Sequence, residues 1–425
     1  MSEDIERKED RGHEGSGGSS ENPHHPSFSS SVAARLSDST MSDYLRLHHE
    51  GFDETPFSPV DSLVLSALAY LDFSAYPYGD VDGAQQVPLI DILRFTDLDA
   101  MLTGGWIRAS KDLPVFLDAL VRCHRFADLT VSYHVNENAV VIEKQFAACT
   151  FGFDGGKAYY IAFQGTDGTF AGWKEDFNLS YRKIIPSQRS AERYVSGVLS
   201  ALPRDARVFV GGHSKGGNLA EFAVATMDET SYGRIERVFN HDGPSFLAAP
   251  SPRIHEQHFK DKLLKTVPES SIFGMILEHR DDYAVVQSDA TTGIFQHNPF
   301  TWLVDDTDFL YQEGLNASAA FFDETLDRWL KSVTPEQRER FIDAFYDIIA
   351  STTDSNTWQE FWEGGVVGTV AGVLRDGRNL DAETKEIIAH TIRNLGTVAN
   401  ATARERLKRF AARMRDAATA MPGGR

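Results

Sequence analysis

One serine stands inside a glycine-rich turn, and this turn constrains the fold more than any other feature of the sequence. The motif GHSKGG, residues 212–217, directly follows the apolar run VFV and directly precedes the helix-like run NLAEFAVATM. A sharp turn from a strand into a helix holds such a serine in a strained, exposed conformation, while the glycines let backbone pass close by. The helix N-terminus then directs its N–H groups and positive dipole end at the reacting centre. The motif predicts that Ser214 is a nucleophile; the alternative is a glycine-rich turn that only begins a helix.

A second apolar run ends in polar residues that suit an oxyanion site. The segment AYYIAF, residues 158–163, is followed by QGTD. Acyl transfer to a serine needs two N–H donors, one from the residue after the nucleophile and one from an earlier loop. We expect Lys215 and Thr166 to supply them, the alternative being an ordinary polar strand end. The side chain of Lys215 could narrow an acyl pocket, meet an anionic substrate or reach solvent, and the sequence does not decide among these.

The spacing of apolar residues predicts strands that alternate with helices in the middle of the chain. The runs KQFAACTFGF and KAYYIAFQGT are joined by Asp154-Gly155-Gly156, which is typical of a hairpin. Further strand-like runs follow at ARVFVGG, RIERVFNH, LLKTVP and YAVVQS. Helical runs at 190–202 and at NLAEFAVATM separate the earlier strands. This alternation predicts an α/β fold with a mostly parallel central sheet covered by helices.

The chain divides into three predicted regions. Residues 1–40 are a polar, charged segment that we expect to be disordered, because it has too little apolar material to offset chain entropy. Residues 41–310 form the main domain, with a helical lead-in that includes most of 85–137. Residues 311–425 form a C-terminal helical region that begins with the run ASAAFFDETLDRWL.

Composition limits the partners of the protein. The chain carries 42 Lys and Arg against 62 Asp and Glu, a formal net charge of −20, and such a surface repels phosphate backbones. Its two cysteines, Cys123 and Cys149, do not have the spacing of a disulfide framework or a zinc site. The first residues lack the apolar stretch of a secretory signal, and no apolar run is long enough to span a bilayer. We therefore expect a soluble, cytoplasmic protein that binds no nucleic acid and has no integral membrane span.

Several segments resemble a known enzyme superfamily. FQGTDGTFAGWKEDF and GGHSKGGNLA are similar to the class-three lipases of the α/β-hydrolase superfamily. A bacterial lipase-like family of domains of unknown function is more similar still, through FSPVDSLVLSALAYLDF, FNHDGPSF, VPESSIFGMILEH and QHNPFTW. The resemblance covers about residues 41 to 305 and implies an α/β-hydrolase fold and an ester hydrolase with a serine, an acid and a histidine. In the loop AGWKEDF we expect Trp173 and Asp176 to brace the backbone.

Two histidines are candidates for the base, which in this superfamily comes last along the chain. His297 lies past the last strand-like run, on an expected loop, and occupies the position that the resemblance assigns to the base. His279 precedes that run, and we expect it to cap or pack a helix. We predict His297 as the general base, with His279 as the alternative. His213, beside the nucleophile, should point away from it and be structural.

The acid departs from the class-three pattern. Those lipases carry their aspartate at a position that here reads VPESS, residues 267–271, where no Asp stands. Asp242 ends the preceding strand-like run and is our first choice, although an aspartate before Gly-Pro is also an ordinary turn residue. Glu269 and Asp282 are the reserve candidates.

Two features of the C-terminal region suggest packing contacts. Small residues recur every fourth position, a spacing that lets helices approach closely, at Gly364, Gly368 and Gly372. The last helix-like run has basic residues around an apolar face that holds Leu407, Phe410 and Met414. This run is expected either to contact a membrane surface or partner, or to dock on the acidic surface of the protein itself.

Together these residues predict a serine hydrolase. Ser214 would accept the acyl group of a lipid or other carboxylic ester, with His297 as general base and Asp242 orienting it. No metal or organic cofactor is needed for this chemistry. Apolar residues around 273–277 are candidates for an acyl pocket. The alternatives are a non-catalytic binding or scaffold protein, and a thioesterase or peptidase on the same fold.

Overall fold

The computed structural model describes residues 39–102, 110–139, 142–167, 175, 178–179, 181–271, 273–275, 283–290 and 295–340. The C-terminal glycine repeat and the basic last helix lie outside the described residues, as do Trp173, Asp176, His279 and Asp282. The division of the chain at residues 40 and 310 therefore stays a prediction.

A nine-stranded sheet forms the centre of the described chain. The strands of the described residues, nine in this sheet and two in a separate pair, are β1 Val87–Pro88, β2 Thr130–Ala139, β3 Lys144–Phe153, β4 Ala158–Phe163, β5 Arg207–His213, β6 Ile235–His241, β7 Leu263–Pro268, β8 Ala284–Val286, β9 Val304–Asp305, β10 Asp308–Phe309 and β11 Tyr311–Gln312. The sheet has the order β1-β2-β3-β4-β5-β6-β7-β8-β11, and β9 pairs with β10 separately. Strands β4 to β8 run parallel, whereas the strands on either side of them are antiparallel.

Helices cover both faces of this sheet. They are α1 Met41–Leu47, α2 Pro59–Leu68, α3 Leu89–Phe95, α4 Leu98–Met101, α5 Leu113–Arg122, α6 Pro186–Ala201, α7 Lys215–Thr226, α8 Glu229–Gly233, α9 Gln257–Lys262 and α10 Ala317–Ser332. Because side chains alternate along a strand, β4 sends Tyr160 into the core beneath α2 and Ile161 into the core beneath α6 and α7. The parallel centre and its two helical layers confirm the predicted α/β-hydrolase fold.

The hairpin between β3 and β4 turns as its sequence indicates. Asp154, Gly155 and Gly156 have φ angles of 53°, 63° and 81°, in the left-handed region that glycine adopts without strain. The strands it joins pair antiparallel from Phe153 with Ala158 to Ala148 with Phe163.

The prediction that residues 85–137 are mostly helical is wrong in part. Thr130–Ala139 is strand β2, and Val87–Pro88 is the short edge strand β1. The second half of β2 is polar and largely exposed, so it carries little apolar periodicity of its own. It is a strand because it pairs with β3 along most of its length, across an irregularity where Tyr133 has a φ of 51°. Tertiary pairing overrides local pattern here.

The predicted helix that opens the C-terminal region is present as α10. Its N-cap is Asn316, whose side-chain oxygen accepts the N–H of Ala319 at 2.9 Å. The backbone N–H of Asn316 donates to the carbonyl of Glu269, which ties α10 to the end of β7. Over the described part of the chain, no helix has the length and apolar character needed to cross a membrane.

The parallel strands bring several motifs to one edge of the sheet. In the paired register Phe163 lies opposite Gly212, and His213 lies opposite His241. Beyond these ends, the N–H of Ser214 donates to the carbonyl of His241 at 2.8 Å, and that of Asp242 to the carbonyl of Thr266 at 2.7 Å. The residues that follow β4, β5, β6 and β7 therefore meet at one place.

Candidate active site

Ser214 occupies the strained turn that its motif predicts. It lies between β5 and α7 with φ 58° and ψ −133°, outside the regions that ordinary residues prefer. The turn is tight enough that a Cβ on Gly216 would lie 2.1 Å from the carbonyl oxygen of Phe163. Ser214 is only 8% exposed, so the residue is largely buried in this structure, whereas its motif predicts an exposed serine.

The structure brings three of the predicted site residues into one hydrogen-bonded chain. The Nε2 atom of His297 lies 3.0 Å from the Oγ atom of Ser214. The Nδ1 atom of the same ring lies 2.6 Å from the Oδ2 atom of Asp242. Asp242 is fully buried, and the His297 side chain is 15% exposed. A serine, an imidazole and a carboxylate in this order are arranged for nucleophilic acyl transfer.

Asp242 is held on its other oxygen. Its Oδ1 atom accepts a hydrogen bond from the hydroxyl of Ser271 and one from the N–H of Gly274 at 3.1 Å. Ser271 belongs to the segment where the class-three pattern places its aspartate. In this chain the carboxylate that contacts His297 is that of Asp242, which directly follows β6. Ser271, which follows β7, donates a hydrogen bond to it.

The reserve candidate Glu269 does not take part in this chain of hydrogen bonds. Its Oε1 atom accepts from the side chain of Gln296 at 3.1 Å, and Gln296 in turn accepts the N–H of Ser270 at 2.8 Å. The carbonyl of Gln296 also accepts the indole N–H of Trp302. Glu269 therefore anchors the turn that precedes His297, and sequence reasoning did not anticipate this role.

His213 contacts the backbone of His297. Its Nε2 atom lies 2.8 Å from the His297 carbonyl oxygen, and its Nδ1 atom lies 3.0 Å from the Tyr70 hydroxyl. Burial, followed by the nearby His297 and His241, lowers the pKa of His213 well below its ordinary value. The ring is therefore neutral, so that Nε2–H donates to the carbonyl while Nδ1 accepts from Tyr70. The neutral His213 ring therefore places no positive charge beside His297, although the two rings lie 4.6 Å apart.

The predicted oxyanion segment lies against the turn of the nucleophile. A Cβ on Gly165 would lie 2.6 Å from the carbonyl oxygen of His213 and 3.0 Å from the Cβ of Ser214, so only glycine fits there. Thr166, the next residue, is buried. Lys215 is the first residue of α7, where backbone N–H groups point out of the helix end. Lys215 thus adjoins Ser214 along the chain, and Thr166 directly follows the glycine that packs against Ser214.

The side chain of Lys215 forms an internal ion pair, which is not one of the three roles expected from the sequence: narrowing an acyl pocket, meeting an anionic substrate or reaching solvent. It is fully buried, and its Nζ atom donates to the carbonyl of Gln145 at 2.9 Å, the side-chain oxygen of Gln145 at 2.6 Å and Oε2 of Glu175 at 3.0 Å. Glu175 lies in the sequence segment AGWKEDF, and nothing in its local pattern distinguishes it from the acidic residues that usually face solvent. Its contact with Lys215 depends on the fold, because the two residues are 40 positions apart in the sequence.

One aromatic side chain packs on the imidazole of His297. The ring of Phe273 packs on His297 with centroids 4.3 Å apart, and Phe295 is 66% exposed. Met275 instead joins a small core with Val267 and Val285. Of the apolar side chains at 273–277, those of Phe273 and Met275 lie among the described residues, and Phe273 is the one that packs on His297.

Comparison with known families identifies the chain. The model of the Mbeg1-like family matches residues 120–347 of this chain, which is more than half of the chain's 425 residues. The chain belongs to the Mbeg1-like family. The matched span contains Ser214, Asp242 and His297. No curated protein matches this Mbeg1-like chain in sequence.

Solved structures that are similar to this Mbeg1-like protein include several lipases. M37 lipase is 16% identical over 40% of this chain and 65% of its own, with a TM-score of 0.28. Lip2 lipase from Yarrowia lipolytica is 13% identical over 44% of this chain and 84% of its own, with a TM-score of 0.29. The lipase of Rhizomucor miehei, in complex with its propeptide, is 15% identical over 67% of this chain and 92% of its own, with a TM-score of 0.31. The chain thus spans just under two thirds of M37 lipase.

Proposed function

We propose that this protein is a serine hydrolase that cleaves carboxylic esters through an acyl-enzyme. The observation that carries the proposal is the continuous hydrogen-bonded chain from Ser214 through His297 to Asp242, built on a strained strand-to-helix turn. Backbone strain of this kind persists where the surrounding structure enforces it, and it is common at active sites.

The first half-reaction follows from the order of the three groups. The Oγ atom of Ser214 attacks the carbonyl carbon of the ester as Nε2 of His297 takes its proton. Asp242 holds the ring by Nδ1 and stabilises the imidazolium that forms. The N–H groups of Lys215 and Thr166 stabilise the negative oxygen of the tetrahedral intermediate. His297 then returns the proton to the leaving alcohol oxygen as the C–O bond breaks.

The second half-reaction uses the same groups on water. Water gives a proton to His297 and attacks the acyl carbon, and the resulting intermediate releases the carboxylic acid and regenerates the Ser214 hydroxyl. The chain of groups needs no metal or organic cofactor for these steps. Phe273, packed against His297, provides an apolar wall that favours an acyl substrate, from a lipid or another small ester.

Labelling with a fluorophosphonate tests the proposal directly. The wild-type protein should form one covalent adduct on Ser214, and Ser214→Ala should abolish it. Ser196→Ala is the matched control, because this exposed serine lies on α6 and should leave labelling unchanged. An intact wild-type protein without an adduct would mean that the fold serves binding or scaffolding instead.

A substrate panel then separates the related activities. p-Nitrophenyl esters of increasing chain length, acyl thioesters and aminoacyl amides should be offered to the wild type and to Ser214→Ala. We expect turnover of the esters that is lost in the variant. Preference for thioesters or amides would replace the esterase assignment with one of the alternatives.

A further inference from the structure

The residue after the proposed nucleophile belongs to a buried ion pair. The ammonium of Lys215 and the carboxylate of Glu175 are both fully buried, with Nζ 3.0 Å from Oε2. All three protons of the ammonium have acceptors, since the other two go to the carbonyl and side-chain oxygens of Gln145.

The carboxylate is equally well satisfied. Oε2 of Glu175 also accepts the N–H of Gln145 at 3.1 Å, and Oε1 accepts the N–H and hydroxyl of Ser187 at 3.1 Å and 2.6 Å. The network thus joins β3, the start of α6 and the start of α7. Burying two charges costs solvation that a well-packed apolar pair would not lose, so such a pair is poor evidence for stability alone. Its distinctive property is directionality, because each hydrogen bond fixes a position and an angle.

The same part of β3 anchors both segments that carry the proposed oxyanion donors. The N–H of Gln164, two residues before Thr166, donates to the carbonyl of Ala147 at 3.0 Å. Lys215 reaches Gln145, two residues before Ala147 on that strand. Displacement of the Lys215 side chain would therefore shift one donor relative to the other.

We infer that the Lys215–Glu175 pair is a positioning device that fixes the oxyanion hole. The side chain of Lys215 does not contact substrate; it holds in place the residue whose backbone N–H stabilises the oxyanion. This inference rests on the proposed function. It assigns a role to Glu175, Gln145 and Ser187 that the catalytic steps themselves do not use.

Substitution of the pair, with kinetics, tests the inference. Glu175→Gln keeps the size of the side chain and removes its charge, and the double variant Lys215→Met with Glu175→Gln removes both charges. Each should lower kcat for a p-nitrophenyl ester by about 10- to 100-fold, with KM nearly unchanged, because the negative charge on the oxygen develops in the transition state and is absent from the bound ester. The rate of fluorophosphonate labelling should fall with kcat.

The second buried ion pair of the described chain is the matched control. Asp61 and Arg125 are also fully buried, 2.7 Å apart, and belong to α2 and to the segment after α5. The double variant Asp61→Asn with Arg125→Met should lose stability without the same loss of kcat at a temperature where circular dichroism shows it folded.

The outcomes separate the inference from the proposed function. A wild type that does not label overturns both. A wild type that labels, beside Lys215–Glu175 variants that are folded and keep full kcat, overturns the inference alone. An equal loss of kcat in the Asp61–Arg125 control also overturns it, because the effect would then be general loosening. If the double variant does not fold, Glu175→Gln decides the matter by itself.

Discussion

The Nε2 atom of His213 lies 2.8 Å from the carbonyl oxygen of His297, so the residue before the proposed nucleophile holds the backbone of the proposed base. The two residues are 84 positions apart in the sequence. One end of the ring is held by the Tyr70 hydroxyl, and the other restrains the turn on which the His297 imidazole is mounted. The proposed nucleophile and base are therefore linked twice: directly through their side chains, and through His213, which holds the backbone of His297.

Removal of this link should reduce catalysis without reducing substrate binding. We expect His213→Phe to lower kcat about tenfold or more with little change in KM, because small displacements of a catalytic group are costly. His213→Gln, which retains a side-chain N–H donor, should recover part of the loss. Steady-state kinetics on a p-nitrophenyl ester check this, and equal activity of the Phe variant and wild type would show that the link has no positioning role.

The identity of the acid can be tested by two matched amide substitutions. Asp242 has a φ of 54°, a conformation that asparagine tolerates well, so Asp242→Asn should keep the fold. It should lower kcat by about 10³- to 10⁴-fold, because the imidazole loses the partner that selects its tautomer. Glu269→Gln should change kcat little, since Glu269 contacts Gln296 instead. The reverse ranking of the two variants would move the acid to Glu269.

The buried His241 should make stability depend on pH. Burial lowers its pKa from 6.5 to about 3, between the Ser62 and Thr266 side chains. Below pH 6.5 the unfolded chain binds a proton that the folded chain does not, so this contribution is complete above pH 6.5 and is lost as the pH falls toward 3. Between pH 7.5 and pH 4.5 we expect a loss of about 1–3 kcal/mol in the free energy of unfolding from this residue.

Urea titrations of wild type and His241→Gln isolate that contribution. The variant is less stable at pH 7.5 because it disturbs two hydrogen bonds, but the difference from wild type should narrow as the pH falls. A difference that stays constant, or widens, would contradict the depressed pKa.

Two glycine-to-alanine substitutions should change the free energy of unfolding in opposite directions. A methyl group on Gly216 would meet the Phe163 carbonyl at 2.1 Å, so Gly216→Ala should destabilise the protein by about 1–3 kcal/mol or more. Gly197 lies in α6 with open space around its Cβ position, and Gly197→Ala should stabilise by up to about 1 kcal/mol. Denaturant midpoints measure both changes, and a tolerated alanine at 216 would argue against the close approach of α7 to β4.

Some features of this protein were decided by short stretches of sequence. The GHSKGG turn, the hairpin at Asp154–Gly156 and the alternation of strands with helices depend on local backbone preferences and on apolar period. Each could therefore be predicted from a window of a few residues. The predicted positions of Ser214 and His297 followed from such windows together with the family resemblance.

Other features depended on residues that are distant in the sequence. Strand β2 needed β3 to pair with, Asp242 was distinguished from Glu269 by the side chains that reach it, and Lys215 was buried because Glu175 and Gln145 lie across from it. The sequence alone predicted the tight turns at GHSKGG and Asp154–Gly156 and supplied the candidate residues for the chemistry. Tertiary structure decided which of those residues meet, because a hydrogen bond or a buried charge depends on partners brought together by the whole fold.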